Sequence, residues 1–330
     1  YGKVQNGGGD YCGAIVGRVR NHTAAKYTDD YYLAGSAPAA FGTGSNSTTA
    51  KFYAKSSTAF ASGEVCYLIN GSSSAESAVW RQDVDNGSTP YDDYPVFDGG
   101  IVLQNREHHD CTANTYTYAY SNSVKSEDHI NHNYKNGFCS CCDALMPAQA
   151  VNGVYTISNG GQFFWFAKAI NSGSVAQTVA ASLSADIDLE GSKNGQAAGY
   201  TGITKDRNFP GVGTNSKNYN GTFTGNAHTV SDLYISVTNK TSADIEGVGL
   251  FGVVNGAALS GFTVKGTILL KSESSDSNAI KRIGGAVGSA VNSKLSELFS
   301  YVNITGTGAK ETPHVGGVAG EITENSDMFK

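Results

Sequence analysis

The chain has 330 residues, of which only 16% are charged, with 41 glycines and a formal net charge of −6 at pH 7. A chain of this length can bury a sizeable core, and its many glycines favour turn-rich β-structure over helix. The acidic balance without a Lys/Arg cluster argues against nucleic-acid binding, and no apolar run approaches the ~18 residues that a membrane-spanning helix needs. Because the sequence begins with Tyr1 and shows no signal peptide, we interpret it as a processed or excised piece of a larger protein.

Residues 1–35 are predicted to form one or more terminal coils of a parallel, right-handed β-solenoid. Their glycine-rich run is Cys12-Gly13-Ala14-Ile15-Val16-Gly17, which is of the same kind as the runs near the C-terminus. Glycine suits the tight corners of such coils because it accepts positive φ and lets two backbones approach closely. Cys12 lies inside this apolar pattern and is expected to be a small buried residue rather than a ligand. The same holds for Cys66, within a small mixed α/β domain predicted for residues 36–105.

Residues 106–147 are predicted to form a Cys/His module. Four of the six cysteines lie between 111 and 142, in the company of His108, His109, His129 and His132. The Cys139-x-x-Cys142 spacing can bring two thiolates to one tetrahedral metal ion. We therefore predict a structural Zn²⁺ site whose ligands are Cys111, His132, Cys139 and Cys142. Four protein ligands would leave no open position for catalysis, and the alternative is one or two disulfides, which an extracellular setting favours.

The same module contains a tyrosine-rich segment at 116–120. Its tyrosines alternate with other residues, so they share one face of a predicted strand. Such a face can serve as a platform on which a glycan or a peptide lies, and the residues predicted for it are Tyr116, Tyr118 and Tyr120. The alternative is that these rings pack across strands of a small sheet.

Residues 148–175 are predicted to hold a linker and a helix that caps the open end of the solenoid. Asn159 can cap the helix N-terminus, and Gly173 follows as a stop signal. Four apolar residues fall on one face at helical spacing, namely Phe163, Phe166, Ala167 and Ile170. A cap is needed because an uncovered coil is a row of unpaired strand edges.

Residues 176–330 are predicted to form the main β-solenoid. The glycine landmarks Gly252, Gly288 and Gly320 are separated by 36 and 32 residues, and a repeat of that size is typical of stacked coils that bury one another's apolar faces. After each landmark comes a stretch of alternating apolar residues predicted to point inward. These inward ladders comprise Leu259, Phe262, Val264 and Ile268 in one repeat, and Leu295, Leu298, Val302 and Ile304 in the next. An antiparallel sandwich is the alternative fold.

The carboxylates of this region do not indicate an enzyme. Polysaccharide lyases and hydrolases with parallel β-helices use paired acidic residues, and Asp186 and Asp188 are the candidates here. They lie on one strand face, where we expect them to be solvated or bonded within turns. Because the sequence also carries no nucleophile triad, phosphate-binding loop or metalloprotease motif, we predict that the chain is not an enzyme.

Several longer pieces of the sequence carry a resemblance to a known family. Between 153 and 320 they read GQFFWFAKAINSG, LSADIDL, FPGVG, YNGTFTGNAHTVSDLYI and VGLFG, and earlier come FASGEVCYLING at 60–71, YPVFDGG at 94–100 and HNYKNGFCSCCDALMPAQ at 132–149. Together these pieces resemble the GLUG-motif β-solenoid modules of large surface proteins from gut Gram-positive bacteria. The chain departs from that pattern at Asp143, where the family usually has Gly, and at the extra Cys141. The resemblance implies a solenoid fold and a module of an adhesin, a fibrous surface protein or an appended protease region.

The repeat pattern at both ends of the chain predicts self-association. If the last coil of one copy stacks on the first coil of the next, a head-to-tail contact that does not close into a ring gives a filament. The residues predicted for this contact are Tyr11, Cys12, Ile15, Val19, Val315, Val318, Ile322 and Phe329. We therefore expect an extracellular structural subunit of a bacterial cell surface. An adhesin that binds glycan or host protein, or a non-catalytic domain of a surface enzyme, is the alternative.

Overall fold

The computed structural model describes residues 14–15, 30–37, 51–85, 91–191, 207–239, 247–272, 282–307, 314–323 and 325–329. The chain is mainly β, as predicted, and it divides into two compact units, Tyr1–Ile130 and Asn131–Lys330. The boundaries predicted at 35, 105, 147 and 175 stay predictions. The observed division falls inside the predicted Cys/His module, whose residues are therefore shared between the two units. No helix among the described residues is long and apolar enough to cross a membrane.

The first unit combines short helices with small sheets. Its described elements are β1 (Asp30–Leu33), β2 (Phe52–Lys55), α1 (Ser57–Ala61), α2 (Glu64–Ile69), β3 (Leu103–Asp110), β4 (Thr115–Ser121) and β5 (Asp128–Ile130). β1 pairs with β2 in parallel, across the boundary predicted at residue 35. β3 lies between an antiparallel β4 and a parallel β5.

A small apolar core holds α1 and α2 in place. Phe60 and Val65 are buried there, and Tyr31, Leu33 and Tyr94 pack against them. Ser56 starts α1 by accepting a hydrogen bond from the Ala59 backbone N–H at 3.1 Å, as an N-cap serine does. On α2, Cys66 is fully buried as predicted, and burial raises the pKa of its thiol to about 12. Cys12 lies outside the described residues.

The second unit contains one longer helix and most of the strands. Its described elements are β6 (Tyr134–Lys135), β7 (Phe138–Cys139), β8 (Gln149–Val151), β9 (Val154–Ile157), α3 (Gly160–Ser172), β10 (Ala180–Leu183), β11 (Ile187–Asp188), β12 (Thr222–Asn239), β13 (Gly247–Val248), β14 (Phe251–Asn255), β15 (Ala258–Ser272), β16 (Arg282–Gly284), β17 (Val287–Val291), β18 (Lys294–Thr307), β19 (His314–Gly316), β20 (Ala319–Thr323) and β21 (Asp327–Phe329).

The helix predicted from the sequence is confirmed. The Asn159 side chain accepts a hydrogen bond from the Gln162 backbone N–H at 2.9 Å, and Gly173 ends the helix with φ of 79°. The four residues predicted for its apolar face, Phe163, Phe166, Ala167 and Ile170, are all fully buried. They join the large core of the second unit, so the helix covers the apolar interior beside β9, β10 and β12.

Three sheets with parallel strands make up most of this unit. The largest has the order β21-β18-β15-β12-β10-β9-β8, in which only β8 and β9 pair antiparallel. Two smaller parallel sheets have the orders β13-β16-β19 and β14-β17-β20. We call three consecutive strands, one in each sheet, a repeat; the repeats are β13–β15, β16–β18 and β19–β21. Among the paired strands described in this unit, parallel pairing dominates, which does not fit the antiparallel sandwich left open by the sequence.

Equivalent residues of successive repeats lie beside each other. The Ala257 backbone N–H donates to the Ser293 hydroxyl 36 residues later. This distance along the chain equals the spacing between Gly252 and Gly288. The predicted inward ladders are confirmed, since Leu259, Phe262 and Val264 are buried and the equivalent residues of β18 pack against the same core. Aromatic rings fill the interior near α3, where Phe223 contacts Phe251 at a centroid distance of 5.0 Å.

Close backbone approach explains one of the glycines at the start of α3. A Cβ added at Gly161 would overlap the backbone carbonyl of Gly137. Gly137 in turn has φ of 77° and follows Asn136 with φ of 48°, a pair of left-handed residues that suits the tight turn between β6 and β7. The β6–β7 hairpin is therefore packed against the helix N-terminus through backbone atoms.

Candidate functional site

The β6–β7 hairpin positions three of the four predicted metal ligands. The chain leaves β7 at Cys139, whose backbone N–H donates to the Ala144 carbonyl at 2.9 Å. This bond closes a tight loop that carries Cys142 back towards Cys139. On the other side of the hairpin, the Ser140 backbone N–H donates to the Asn133 carbonyl at 2.9 Å and holds the segment that carries His132.

The three candidate ligand atoms of His132, Cys139 and Cys142 are close enough together to surround one tetrahedral ion. The atoms offered by His132, Cys139 and Cys142 all lie within 4.8 Å of one another, and Cys142 Sγ is 3.4 Å from His132 Nδ1. Ligand atoms around tetrahedral zinc are about 3.5 Å apart, since Zn–S is ~2.3 Å and Zn–N is ~2.0 Å. Cys139 is buried, and both cysteines carry free thiols. The Cys/His cluster can therefore hold a metal ion.

Without a cation, this pocket disfavours thiolates. Burial raises the pKa of the Cys142 thiol to about 11. The neighbouring Cys139 adds to this increase, whereas the hydrogen bond from the Ala144 backbone N–H lowers the pKa. Burial and the same two cysteines also raise the pKa of Tyr134. A divalent cation reverses this balance because it stabilises bound thiolates directly, so metal binding at this site is coupled to the release of protons.

The fourth predicted ligand, Cys111, lies in the first unit. It follows β3, and its backbone N–H donates to the Ile130 carbonyl at 2.9 Å, two residues before His132 along the chain. Its place in the zinc site stays a prediction. The alternative of one or two disulfides stays open.

Two histidines of the first unit lie close to Cys111 but are not among the predicted ligands. His109 and His129 are directly paired residues of the parallel strands β3 and β5, and Cys111 Sγ lies 3.8 Å from His129 Nδ1. For His109, the sequence signal is the His109-x-Cys111 spacing, because it places both side chains on one side of an extended segment. The partner His129 depends on a strand pairing that the sequence does not reveal.

The tyrosines predicted as a ligand platform share one face of β4, and two of the three are engaged by neighbours. Tyr116 stacks on His109 with a centroid distance of 4.3 Å, and the Arg106 guanidinium lies 4.4 Å from its ring centroid. Tyr120 packs against the ring of Tyr67. Tyr118 is 48% exposed. The ligand-binding role of the three tyrosines stays a prediction.

The predicted self-association residues fall into two groups. Tyr11, Cys12 and Val19 lie outside the described residues, while Ile15 is half-buried. In the last repeat, Val318 packs against the core, whereas Val315, Ile322 and Phe329 are exposed. Within the described part of the chain, no strand pairs with the outer edges of β19, β20 and β21.

The two aspartates considered for catalysis both accept hydrogen bonds within the fold. Asp186 accepts hydrogen bonds from the Thr229 backbone N–H at 2.9 Å and from His228 Nδ1 at 3.1 Å, and these bonds hold its pKa below the usual range. Asp188 accepts from the Glu190 backbone N–H at 2.8 Å. Asp188 therefore bonds within a turn, as expected, whereas Asp186 is largely exposed and its partners lie on β12.

Comparison with protein-family models, curated proteins and solved structures finds no match to this chain. The resemblance to GLUG-motif surface proteins therefore stays an expectation that depends on the sequence pieces quoted above. Two structural features remain from which a function can be inferred, namely the Cys/His cluster and the exposed face of the last repeat.

Proposed function

We propose that this chain is a structural module of a bacterial cell surface, built on a β-solenoid, that associates with copies of itself head to tail. The observation that carries the proposal is the exposure of apolar residues in the last repeat at positions that are buried in the repeat before it. The GLUG-like sequence pieces support the extracellular setting, and the three stacks of parallel strands support the solenoid architecture.

The register of the strands identifies the surface that would associate. Val315, Ile322 and Met328 pair with Ile283, Ala290 and Leu295 of the preceding repeat, which are all fully buried. In the last repeat the corresponding exposed fractions are 55% for Val315, 38% for Ile322 and 49% for Met328. We name these three residues, together with Phe329, the terminal face. Its apolar ladders, and its strand edges, which pair with no other strand in the described part of the chain, are complementary to another coil of the same kind.

The occupant of the terminal face in this proposal is the N-terminal coil of a second copy. The run from Cys12 to Gly17 repeats the glycine pattern of the C-terminal coils, so the coil predicted there would continue the same stack. Such a contact joins two different surfaces of the same molecule, and it generates a filament when the rotation between copies does not close a ring. Backbone pairing at the edges and burial of the terminal face would both favour association.

A structural metal ion completes the proposal. Zn²⁺ bound by His132, Cys139 and Cys142 would hold the loop after β7 against the segment that carries His132. The donor set of sulfur and imidazole nitrogen is the one that zinc prefers. In this role the ion keeps the hairpin against the N-terminus of α3.

Sedimentation velocity over a range of protein concentrations tests the association. We expect wild-type protein to form larger species as its concentration rises, and the double variant Ile322→Lys, Met328→Lys to stay monomeric because two charges would be buried at the contact. The matched control is Asn303→Lys, which adds a charge at an exposed position of β18. If the double variant associates as strongly as the control, the terminal face is not the contact.

A glycan-binding adhesin is the second candidate, and the exposed ring of Tyr118 on β4 is the observation that favours it. Exposed tyrosines stack on sugar rings when their faces are accessible. Binding to a glycan array that is lost in Tyr118→Ala and kept in Tyr91→Ala, another exposed tyrosine of the first unit, would support this function. An array without any bound glycan would remove it.

A further inference from the structure

The first unit contains a set of possible metal ligands that the zinc site proposed above does not use. His109, Cys111 and His129 offer ligand atoms that all lie within 4.8 Å of one another. All three belong to the unit Tyr1–Ile130, whereas His132, Cys139 and Cys142 belong to the other unit. The three side chains are therefore positioned by elements of the first unit alone.

The fold of the first unit brings these side chains together. Parallel pairing of β3 with β5 sets His109 directly beside His129, and their ring centroids are 5.2 Å apart. The hydrogen bond from the Cys111 backbone N–H to the Ile130 carbonyl extends this pairing by one step, and Cys111 Sγ comes to 3.8 Å from His129 Nδ1. Both His109 and Cys111 are buried.

Neighbouring groups hold the His109 ring in one orientation. Its Nε2 lies 3.2 Å from Asn114 Oδ1, and one face stacks on Tyr116 with only 14° between the planes. Glu127 lies on the Nδ1 side at 3.8 Å. Metal-binding histidines in proteins are typically oriented in this way by a polar partner at the second ring nitrogen.

We propose that His109, Cys111 and His129 bind a second metal ion of the zinc class, in addition to the one bound by His132, Cys139 and Cys142. One thiolate and two neutral imidazoles suit Zn²⁺ or Co²⁺ far better than Ca²⁺ or Mg²⁺, which prefer oxygen ligands. Three protein ligands fill three positions of a tetrahedral ion and leave the fourth for water or another donor.

The proposal sets a condition on Cys111. A metal ion requires the thiolate, and a sulfur in a disulfide has none, so the second ion and a disulfide at Cys111 exclude each other. Metal loading and the number of titratable thiols should therefore change together. The proposal does not depend on self-association, because both sets of ligands lie within single copies of the chain.

Metal counting on the full chain tests the proposal. Protein purified under reducing conditions is equilibrated with Co²⁺ and then Zn²⁺, and bound metal is measured by mass spectrometry while Co²⁺ absorption reports sulfur ligation. We expect two ions per chain in the wild type. The pair His109→Ala, His129→Ala should lose one ion and keep the other, and the pair His132→Ala, Cys142→Ser should do the same.

The matched control is His108→Ala, on the neighbouring position of β3, which should keep both ions. One ion per wild-type chain would overturn the proposal, and the two double variants would then show which set of ligands binds that ion. So would an intact disulfide at Cys111, detected by peptide mass mapping, in fully metal-loaded protein. Both of these results can be read even if one variant fails to fold, because the wild-type count and the thiol state need no substitution.

Discussion

Replacing Phe223 with alanine should be among the most damaging changes in the second unit. The ring is fully buried between α3 and the strands, and its neighbours are the rings of Phe163, Phe251 and Phe262 at centroid distances of 5.7, 5.0 and 5.7 Å. Burying a phenylalanine is worth about 2–3 kcal/mol, and each aromatic pair adds roughly 0.5–1.5 kcal/mol. The space left behind cannot close easily because β12 is paired on both sides, with β10 and with β15.

We therefore expect Phe223→Ala to lower the free energy of unfolding of this unit by about 4 kcal/mol, within the range for large-to-small core changes. Urea unfolding measures this change, with Trp165 of α3 as the fluorescent reporter in a Trp80→Phe background so that the first unit contributes no signal. With a slope near 2 kcal/mol per M, the midpoint should fall by about 2 M.

The matched control is Phe299→Ala on β18, because that ring is 52% exposed. We expect it to cost less than about 1 kcal/mol, as is usual for surface substitutions. If Phe223→Ala lowers the midpoint no more than Phe299→Ala does, then contacts among the buried aromatic rings do not stabilise this unit.

Three further changes test individual contacts. Asn159→Ala removes the acceptor for the Gln162 backbone N–H and should cost about 0.5–2 kcal/mol in the same urea assay, with Asn159→Ser close to the wild type. Gly161→Ala drives a methyl group into the Gly137 carbonyl and should cost about 1–3 kcal/mol; a stability equal to the wild type would contradict that close approach. Because folding raises the pKa of Cys66 from 9.0 to about 12, the stability of the first unit should fall as pH rises between these two values. With Trp80 as the reporter in a Trp165→Phe background, Cys66→Ala should flatten the decline in urea midpoints measured from about pH 8 to 11.

Local sequence signals predicted the parts of the fold that depend on neighbours along the chain. Asn159 and Gly173 bound α3 as predicted because capping residues act within one turn of helix. The alternation around Phe262 and Val264 predicted which side chains point inward, since a strand presents one face at every second residue. The spacing from Cys139 to Cys142 likewise predicted two thiols that meet in one loop.

The rest depends on contacts between distant residues, which a single sequence does not specify. Nothing near His109 indicates that β5 pairs with β3 in parallel, so its juxtaposition with His129 could not be predicted. The division of the chain after Ile130 also depends on contacts between distant residues, which the spacing of the cysteines and histidines does not reveal. The tyrosines of β4 were placed correctly on one face, yet the stacking of Tyr116 on His109 follows from the β3–β4 register.

The proposed function requires that copies of this chain stack end to end through the terminal face. Negative-stain electron microscopy of the purified chain over a range of concentrations is the decisive test of that stacking. We expect filaments whose axial repeat is one subunit and which disappear in the double variant Ile322→Lys, Met328→Lys. Uniform single particles at every concentration would contradict end-to-end stacking.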